Sequence, residues 1–167
     1  PAGAILGATS RITVGVGLLP VPLRSVALTA MELGALARMF PGRFVPAIGH
    51  GVLDWMGQVG ARAGSPMTLL EEYAVALRAL LAGEEVSSGG AYVRLDRVQL
   101  RWPPAPTPVL IGAVRPKTTE LAGRVGDGVL FTGDAGPEGV ATGARLARAA
   151  RAAAGVDAPF EVASFVD

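Results

Sequence analysis

The chain has 167 residues, half of them hydrophobic, and its 15 basic and 14 acidic residues leave a net charge of +1. Such a balanced chain carries no field that would attract nucleic acid or an anionic membrane surface. The absence of cysteine excludes disulfides, thiolate metal sites and a cysteine nucleophile, and no metal site is expected. The longest apolar stretch, 12–23, is too short to cross a bilayer, and no signal-peptide pattern is present, so the expected location is cytoplasmic.

Short β-rich segments alternate with amphipathic helices along the chain. Strands are predicted at 12–18, 43–49, 108–114, 129–132 and 160–166, and helices at 23–40, 68–82, 116–125 and 138–154. No helix is expected before the first strand. The second helix is predicted to begin with a capping box at Thr68 and Glu71 and to end at Gly83. Pro46 weakens the second strand, since proline cannot donate to a ladder.

The segment 84–107 is rich in turn residues and proline, and we expect it to be an irregular excursion from the main architecture with a small hairpin. Outside it, strands alternating with helices favour a parallel α/β sheet. Periodicity alone does not separate an open doubly wound sheet from a closed barrel. Five strands would leave a barrel open with two unpaired edges, so the alternatives are an open sheet or a piece of a longer protein.

Three segments resemble one family. Thr9–Pro20, followed by Pro22-Leu-Arg-Ser, resembles the third barrel strand and its exit in the luciferase-like monooxygenases. The segment 40–51 is similar to that family's fourth strand, and 108–116 with Glu120-Leu-Ala-Gly-Arg-Val-Gly-Asp-Gly128 to its fifth strand, helix and sixth-strand entry. The resemblance covers about residues 9–133. It implies a TIM (β/α)₈-barrel of the bacterial luciferase-like type, here a single partial barrel domain over 1–167 with about five βα units, the third to seventh strands.

The resemblance implies an oxidoreductase that moves hydride between reduced coenzyme F420 or FMN and a small organic substrate, or a monooxygenase that uses FMN and oxygen. The alternative is a truncated, non-catalytic paralogue that binds flavin or only oligomerises. An unrelated doubly wound domain would need a glycine-rich phosphate turn, and Gly15-Val-Gly-Leu-Leu-Pro has no third glycine. Expected partners are a small-molecule substrate and either a second copy or the remainder of the protein's own barrel, but neither nucleic acid nor membrane.

Barrel enzymes bind ligands at the C-terminal ends of their strands, which directs attention to three turns. By the resemblance, Gly17 and Leu18 lie in a bulge, sometimes with a cis peptide, that supports the back of the cofactor ring. Gly49 and Gly51 would let the backbone approach a ring or phosphate. His50, the single histidine, is the candidate catalytic residue, because its ring can donate to the cofactor or carry a proton.

The third turn, Gly112-Ala113-Val114-Arg115, leads into a helix whose N-terminus attracts anions. The family often has Gly-Gly-Pro here and binds the cofactor phosphate through the backbone; in this chain Arg115 adds a charge that can pair with phosphate. Thr132 and Gly133 are expected to make a second phosphate contact. Asp127 is expected to cap a turn. Some sugar-oxidising relatives have a carboxylate soon after the second turn, where this chain has Val52, which disfavours sugar-phosphate oxidation.

Overall fold

The computed structural model describes residues 1–133 and 135–165. The strands are β1 Val14–Pro20, β2 Phe44–Gly49, β3 Val86–Gly89, β4 Arg94–Val98, β5 Leu110–Ala113, β6 Gly128–Phe131 and β7 Glu161–Ser164. The helices are α1 Ala2–Ala8, α2 Val26–Met39, α3 Leu53–Gln58, α4 Pro66–Leu81, α5 Pro116–Val125 and α6 Pro137–Ala153. None of the helices in this part of the chain is both long and apolar enough to cross a membrane.

Five strands form one parallel sheet in the order β1-β2-β5-β6-β7. This sequential order confirms the partial barrel and is not the order of a doubly wound sheet, whose strand order reverses. The sheet curves enough for its two edge strands to approach, since a Cβ atom built on Gly17 of β1 would lie 3.0 Å from Phe165 Cζ just after β7. β3 and β4 form a separate antiparallel hairpin within the segment 84–107.

The sheet has a large core on its outer, helix-covered face and a small cluster on its inner face. The outer core includes fully buried leucines of α4 and α5 and Ile111 of β5. The inner cluster is formed by Ala47, Leu110 and Leu130, with Leu18, Val45 and Ala163 against it. Because side chains alternate along a strand, residues two apart share a face, and each strand of the sheet contributes to both clusters.

Pro46 lies within β2 although β2 is an interior strand of the sheet. It faces Val16 in the β1 ladder, and the register of that ladder shifts between Val16 and Leu19. The hydrogen bond that proline cannot donate therefore falls beside an existing interruption, which explains why the strand tolerates it.

Three sequence-based expectations need correction. A helix does precede the first strand: α1 buries Leu6 completely, and Arg43 donates to the carbonyl oxygen of Leu6 at its C-terminal end. The cap of α4 is Ser65, whose Oγ accepts the N–H of Thr68, so Thr68 is not the N-cap. The last strand ends at Ser164, and the expected position Val166 lies outside the described residues.

Candidate functional site

The five parallel strands place all the candidate residues at one edge of the sheet, the edge formed by their C-terminal ends. Gly17 and Leu18 lie in the last half of β1, Gly49 ends β2, and Ala113 ends β5. His50 and Gly51 follow β2, Val114 and Arg115 follow β5, and Thr132 and Gly133 follow β6. We call this the C-terminal edge; it is where barrel enzymes bind their ligands.

The end of β1 is a bulge, as the sequence predicts. The pairing with β2 shifts between Val16 and Leu19, and the peptide bond between Gly17 and Leu18 is cis. A Cβ atom on Gly17 would lie 2.9 Å from Leu130 Cδ2 and 3.0 Å from Phe165 Cζ. A larger residue at this position would therefore have to displace the tips of two apolar side chains.

The side chain of Leu18 crosses the inner face of the sheet in front of two other candidate glycines. A Cβ atom on Gly49 would lie 2.7 Å from Leu18 Cδ2, and one on Gly112 would overlap the same atom. Both glycines thus accommodate Leu18, which together with Leu130 and Phe165 makes an apolar bed at the C-terminal edge. That these glycines also let the backbone approach a cofactor stays a prediction.

His50 is held by the backbone of the turn that follows β2. Its Nδ1 lies 2.7 Å from the carbonyl oxygen of Gly51. Because a carbonyl oxygen can only accept, Nδ1 must carry a proton, which leaves Nε2 of the neutral ring as the proton acceptor. Gly51 has a φ of +72°, and Met56 Sδ and Pro20 Cβ would each lie 3.2 Å from an added Cβ, so its glycine is required by the turn itself.

The N-terminus of α5 carries the positive charge of the site. Arg115 is the N-cap residue, and no side chain caps the first turn of α5. Arg115 and Lys117 are both exposed, and neither forms an ion pair with a residue in 1–133 or 135–165. Two cations and free N–H groups at one helix terminus attract an anion. Thr132 is adjacent, since its N–H donates to the carbonyl oxygen of Ala113 at 3.4 Å.

Sequence reasoning missed two residues of this edge. Lys117 has a detectable signal, because a cation in the first turn of a helix opposes the helix dipole and needs another reason to be there. Phe165 offered none, since a phenylalanine inside the predicted strand 160–166 is indistinguishable from core until the curvature of the sheet brings it over β1. Its ring is 55% exposed although it contacts the bulge, so one face remains open.

Other polar and aromatic candidates lie away from the C-terminal edge or take no part in it. Asp127 precedes β6, at the opposite end of the sheet, where it binds Arg78 and the N–H of Val109 rather than only capping a turn. Asp54, the acid nearest to the second turn, is exposed in the first turn of α3. Trp55 and Trp102 are 62% and 65% exposed, so neither packs in a core.

A curved parallel β/α sheet with glycines, a histidine and exposed cations at its C-terminal edge is typical of the ligand-binding part of a (β/α)₈-barrel enzyme. The sequence model of the luciferase-like monooxygenase family matches residues 1–166, and the chain belongs to this family. The resemblance read from the sequence is thus confirmed.

Sequence relatives and solved structures agree with this assignment. The chain is 32% identical to a 5,10-methylenetetrahydromethanopterin reductase of Methanolobus tindarius, covering 74% of the chain and 38% of that protein. It is also 32% identical to an F420-dependent glucose-6-phosphate dehydrogenase of Nakamurella multipartita, covering 81% and 41%. The structure of an F420-dependent secondary alcohol dehydrogenase with an F420-acetone adduct superposes with a TM-score of 0.81 at 25% identity, covering 93% and 49%. The chain therefore spans less than half of these proteins.

Proposed function

We propose that the protein is an oxidoreductase that binds coenzyme F420 across the C-terminal edge and transfers hydride between it and a small organic substrate. The observation that carries the proposal is the pairing, at one edge of the sheet, of a cationic helix terminus with an apolar bed. The names of the sequence relatives support F420 rather than FMN. They do not favour a non-catalytic paralogue. FMN with oxygen is the second cofactor chemistry that the family admits.

The residues of the C-terminal edge fit such a cofactor. A phosphate would accept hydrogen bonds from the N–H groups in the first turn of α5 and would form ion pairs with Arg115 and Lys117. The hydroxyl of Thr132 would donate a further hydrogen bond. A flat ring would lie against the apolar bed of Leu18, Leu130 and Phe165 at the β1 bulge. When bound, the deazaflavin supplies hydride chemistry, which side chains cannot provide.

The protein's own contribution to the reaction is positioning and proton handling. The bulge of β1 fixes how deeply a ring can lie. The side chains of Leu130 and Phe165 already fill the space against Gly17, so a ring would have to lie on top of them. His50 holds its Nδ1 proton on Gly51 and therefore presents Nε2 to accept a proton released when a substrate alcohol is oxidised. In the reverse direction the protonated ring returns that proton to the substrate oxygen.

Titration of the chain, and of the complete protein, with F420 and with FMN tests the proposal. We expect binding of F420, and about a ten- to hundredfold loss of affinity in Arg115→Ala, since a charged hydrogen bond contributes about 1.5–3 kcal/mol. Arg124→Ala is the matched control, because Arg124 lies in the last turn of the same helix and pairs with Glu71. Unchanged F420 affinity in Arg115→Ala would contradict the phosphate role.

We further infer that the sheet is completed by other strands. Among the described residues, β1 and β7 each pair on one side only, and a closed barrel of this type needs eight strands. Partner strands come either from the rest of the protein or from a second copy, since unpaired edges expose N–H and C=O groups. Light scattering of the purified 167-residue chain tests this; a monomer that turns over reduced cofactor would contradict it.

A further inference from the structure

A cavity of about 450 Å³ lies on the helix-covered side of the sheet. Its walls are the start of α2 with the turn before it, the segment 60–63, the first half of α4, and the hairpin β3–β4 with the turn that joins its strands. We propose that this cavity binds a small organic anion, a carboxylate or phosphate ester carried on an apolar body. A volume of this size is typical of a small-molecule site.

The cavity lies among the loops that follow β1 and β2, but it shares no lining residue with the candidate cofactor site. Its apolar walls belong instead to the outer core between sheet and helices, namely Val21, Val26, Leu69, Tyr73 and Val93, with Leu95 against that core. The inference therefore stands on its own residues and does not require the proposed function to be correct.

Three guanidinium groups line the cavity, those of Arg24, Arg62 and Arg94, and no carboxylate does. Arg24 pairs with Glu32 at the surface. In the part of the chain that the structure describes, Arg62 and Arg94 form no ion pair, and Arg94 Nε makes only a long contact of 3.4 Å to the carbonyl oxygen of Gly90. Arginines on three walls of one cavity offer guanidinium groups that match the planar oxygen pairs of carboxylate and phosphate.

Glu72, which precedes Tyr73 of the cavity wall on α4, is bonded to the hairpin. The carboxylate of Glu72 accepts the N–H groups of Ala91, Tyr92 and Val93, each at 2.9 Å. These bonds tie the hairpin to α4 and engage both carboxylate oxygens. Glu72 therefore anchors the wall that carries Arg94 and leaves the three guanidinium groups as the charged lining of the cavity.

The walls are preformed, which favours binding of a ligand without a large ordering cost. The hydroxyl of Tyr73, buried at the bottom of the cavity, donates to Thr29 Oγ1 of α2 at 2.6 Å. The hydroxyl of Tyr92 accepts the N–H of Ser65, also at 2.6 Å. Together these bonds join α2, α4 and the hairpin around the cavity. The cavity combines apolar walls with a cationic rim formed by Arg24, Arg62 and Arg94. Such a cavity should bind an anion that carries an apolar body more tightly than an inorganic anion.

Nuclear magnetic resonance of the ¹⁵N-labelled chain tests the proposal with benzoate, phenyl phosphate, inorganic phosphate and neutral benzyl alcohol as probes. We expect saturable shifts of the amide signals of residues 60–63 and 92–95 with benzoate or phenyl phosphate. Benzyl alcohol should bind about tenfold more weakly or not at all, because it lacks the charge. Inorganic phosphate should also bind more weakly, because it lacks the apolar body. The two anionic probes distinguish a carboxylate site from a phosphate-ester site.

Variants of the rim then locate the charge. Arg62→Gln and Arg94→Gln should each weaken the preferred anion about tenfold, as expected for loss of one charged hydrogen bond. Arg97→Gln is the matched control, because Arg97 lies on the same hairpin, is exposed and pairs with Asp96 outside the cavity. The proposal is overturned if neither anion gives saturable shifts there, if benzyl alcohol or inorganic phosphate binds equally well, or if Arg97→Gln has the same effect as the rim variants.

Discussion

The two ends of the parallel sheet use charged side chains in opposite ways. At the N-terminal end, Asp127 accepts hydrogen bonds from Arg78 at 2.6 and 2.9 Å and from the N–H of Val109 at 3.0 Å. Arg151, only 4% exposed, donates to four backbone carbonyls between α5 and the approach to β7. Each of these groups is bonded within the protein.

At the C-terminal end the cations are exposed and engaged by no carboxylate of the described residues. Arg115 and Lys117 lie at a helix terminus whose dipole repels cations, and Nδ1 of His50 is bonded to Gly51, whereas its Nε2 has no hydrogen-bond partner among residues 1–133 and 135–165. Charge at the first end therefore stabilises the fold, whereas the two cations at the second end oppose the dipole of α5 and destabilise it slightly. Removing a charge should therefore lower the free energy of unfolding at the N-terminal end and raise it at the C-terminal end.

The largest effect is expected at Arg151. Arg151→Met removes every hydrogen bond that this guanidinium donates and leaves buried carbonyls without partners, so the free energy of unfolding should fall by about 3 kcal/mol. Urea denaturation measures it. Arg148→Met is the control, because Arg148 is exposed on the same helix and should change stability by less than about 0.5 kcal/mol. Equal effects of the two variants would show that the N-terminal end is not stabilised by its charges.

A smaller loss is expected at Asp127. Asp127→Asn keeps an oxygen that accepts the N–H of Val109 but loses the charge opposite Arg78, so stability should fall by about 1–2 kcal/mol. Asp96→Asn serves as the comparison, because Asp96 is 91% exposed and lies 3.7 Å from Arg97, and such pairs contribute about 0–1 kcal/mol. A fall no larger than that of Asp96→Asn in the same denaturation assay would contradict the comparison.

The order of elements in the sheet could be predicted from the sequence, because buried parallel strands and amphipathic helices leave clear periodicities. The helix α1 could not, since Ala2-Gly-Ala-Ile-Leu-Gly-Ala has two glycines and no stripe, and it forms because Leu6 is buried and Arg43 binds its end. The start of α4 was misplaced because Thr68 and Glu71 have capping-box spacing, whereas Ser65 followed by proline provides the cap.

At the candidate site, the positions could be predicted but not the reasons for the glycines. The sequence suggests that Gly49 leaves room for a ligand and that Gly112 belongs to the cofactor turn, whereas in the structure the side chain of Leu18 lies in front of both. That contact depends on the bulge of β1 and on three strands meeting at one face, and neither is visible in local periodicity. The roles of Arg78, Asp127 and Arg151 were hidden for the same reason, since their partners lie on other elements of the fold, 7 to 49 positions away in the chain.

A small change of the opposite sign is expected at Lys117. Lys117→Gln removes a cation from the first turn of α5, so the free energy of unfolding should rise by about 0.3–1 kcal/mol while affinity for F420 falls. Thermal unfolding and cofactor titration of the same preparation measure the two effects. Arg124→Gln, in the last turn of α5, should instead lose a little stability and keep its affinity. A loss of stability in Lys117→Gln would remove the contrast between the two ends.

The last effect concerns Glu72, which shows that partners rather than position decide how a charge is used. Glu72 belongs to the half of α4 nearer the C-terminal edge, yet both of its carboxylate oxygens accept hydrogen bonds. The N–H groups of Tyr92, Val93 and Ala91 lower the pKa of its carboxyl below the ordinary value of 4.5, although desolvation acts in the opposite direction. A carboxyl with a lowered folded-state pKa stabilises fully above its unfolded pKa, and this contribution is lost as the pH falls through the folded value. Glu72→Gln should therefore reduce stability at neutral pH, and its stability should converge with that of the unmodified protein in acid.

Urea midpoints over a pH series measure this difference. Glu71→Gln is the neighbouring control, because the ion pair of Glu71 at 3.6 Å is half exposed. Parallel pH profiles of Glu72→Gln and the unmodified protein would show that the carboxylate does not hold the hairpin, because only a bonded charge makes the stability difference depend on pH.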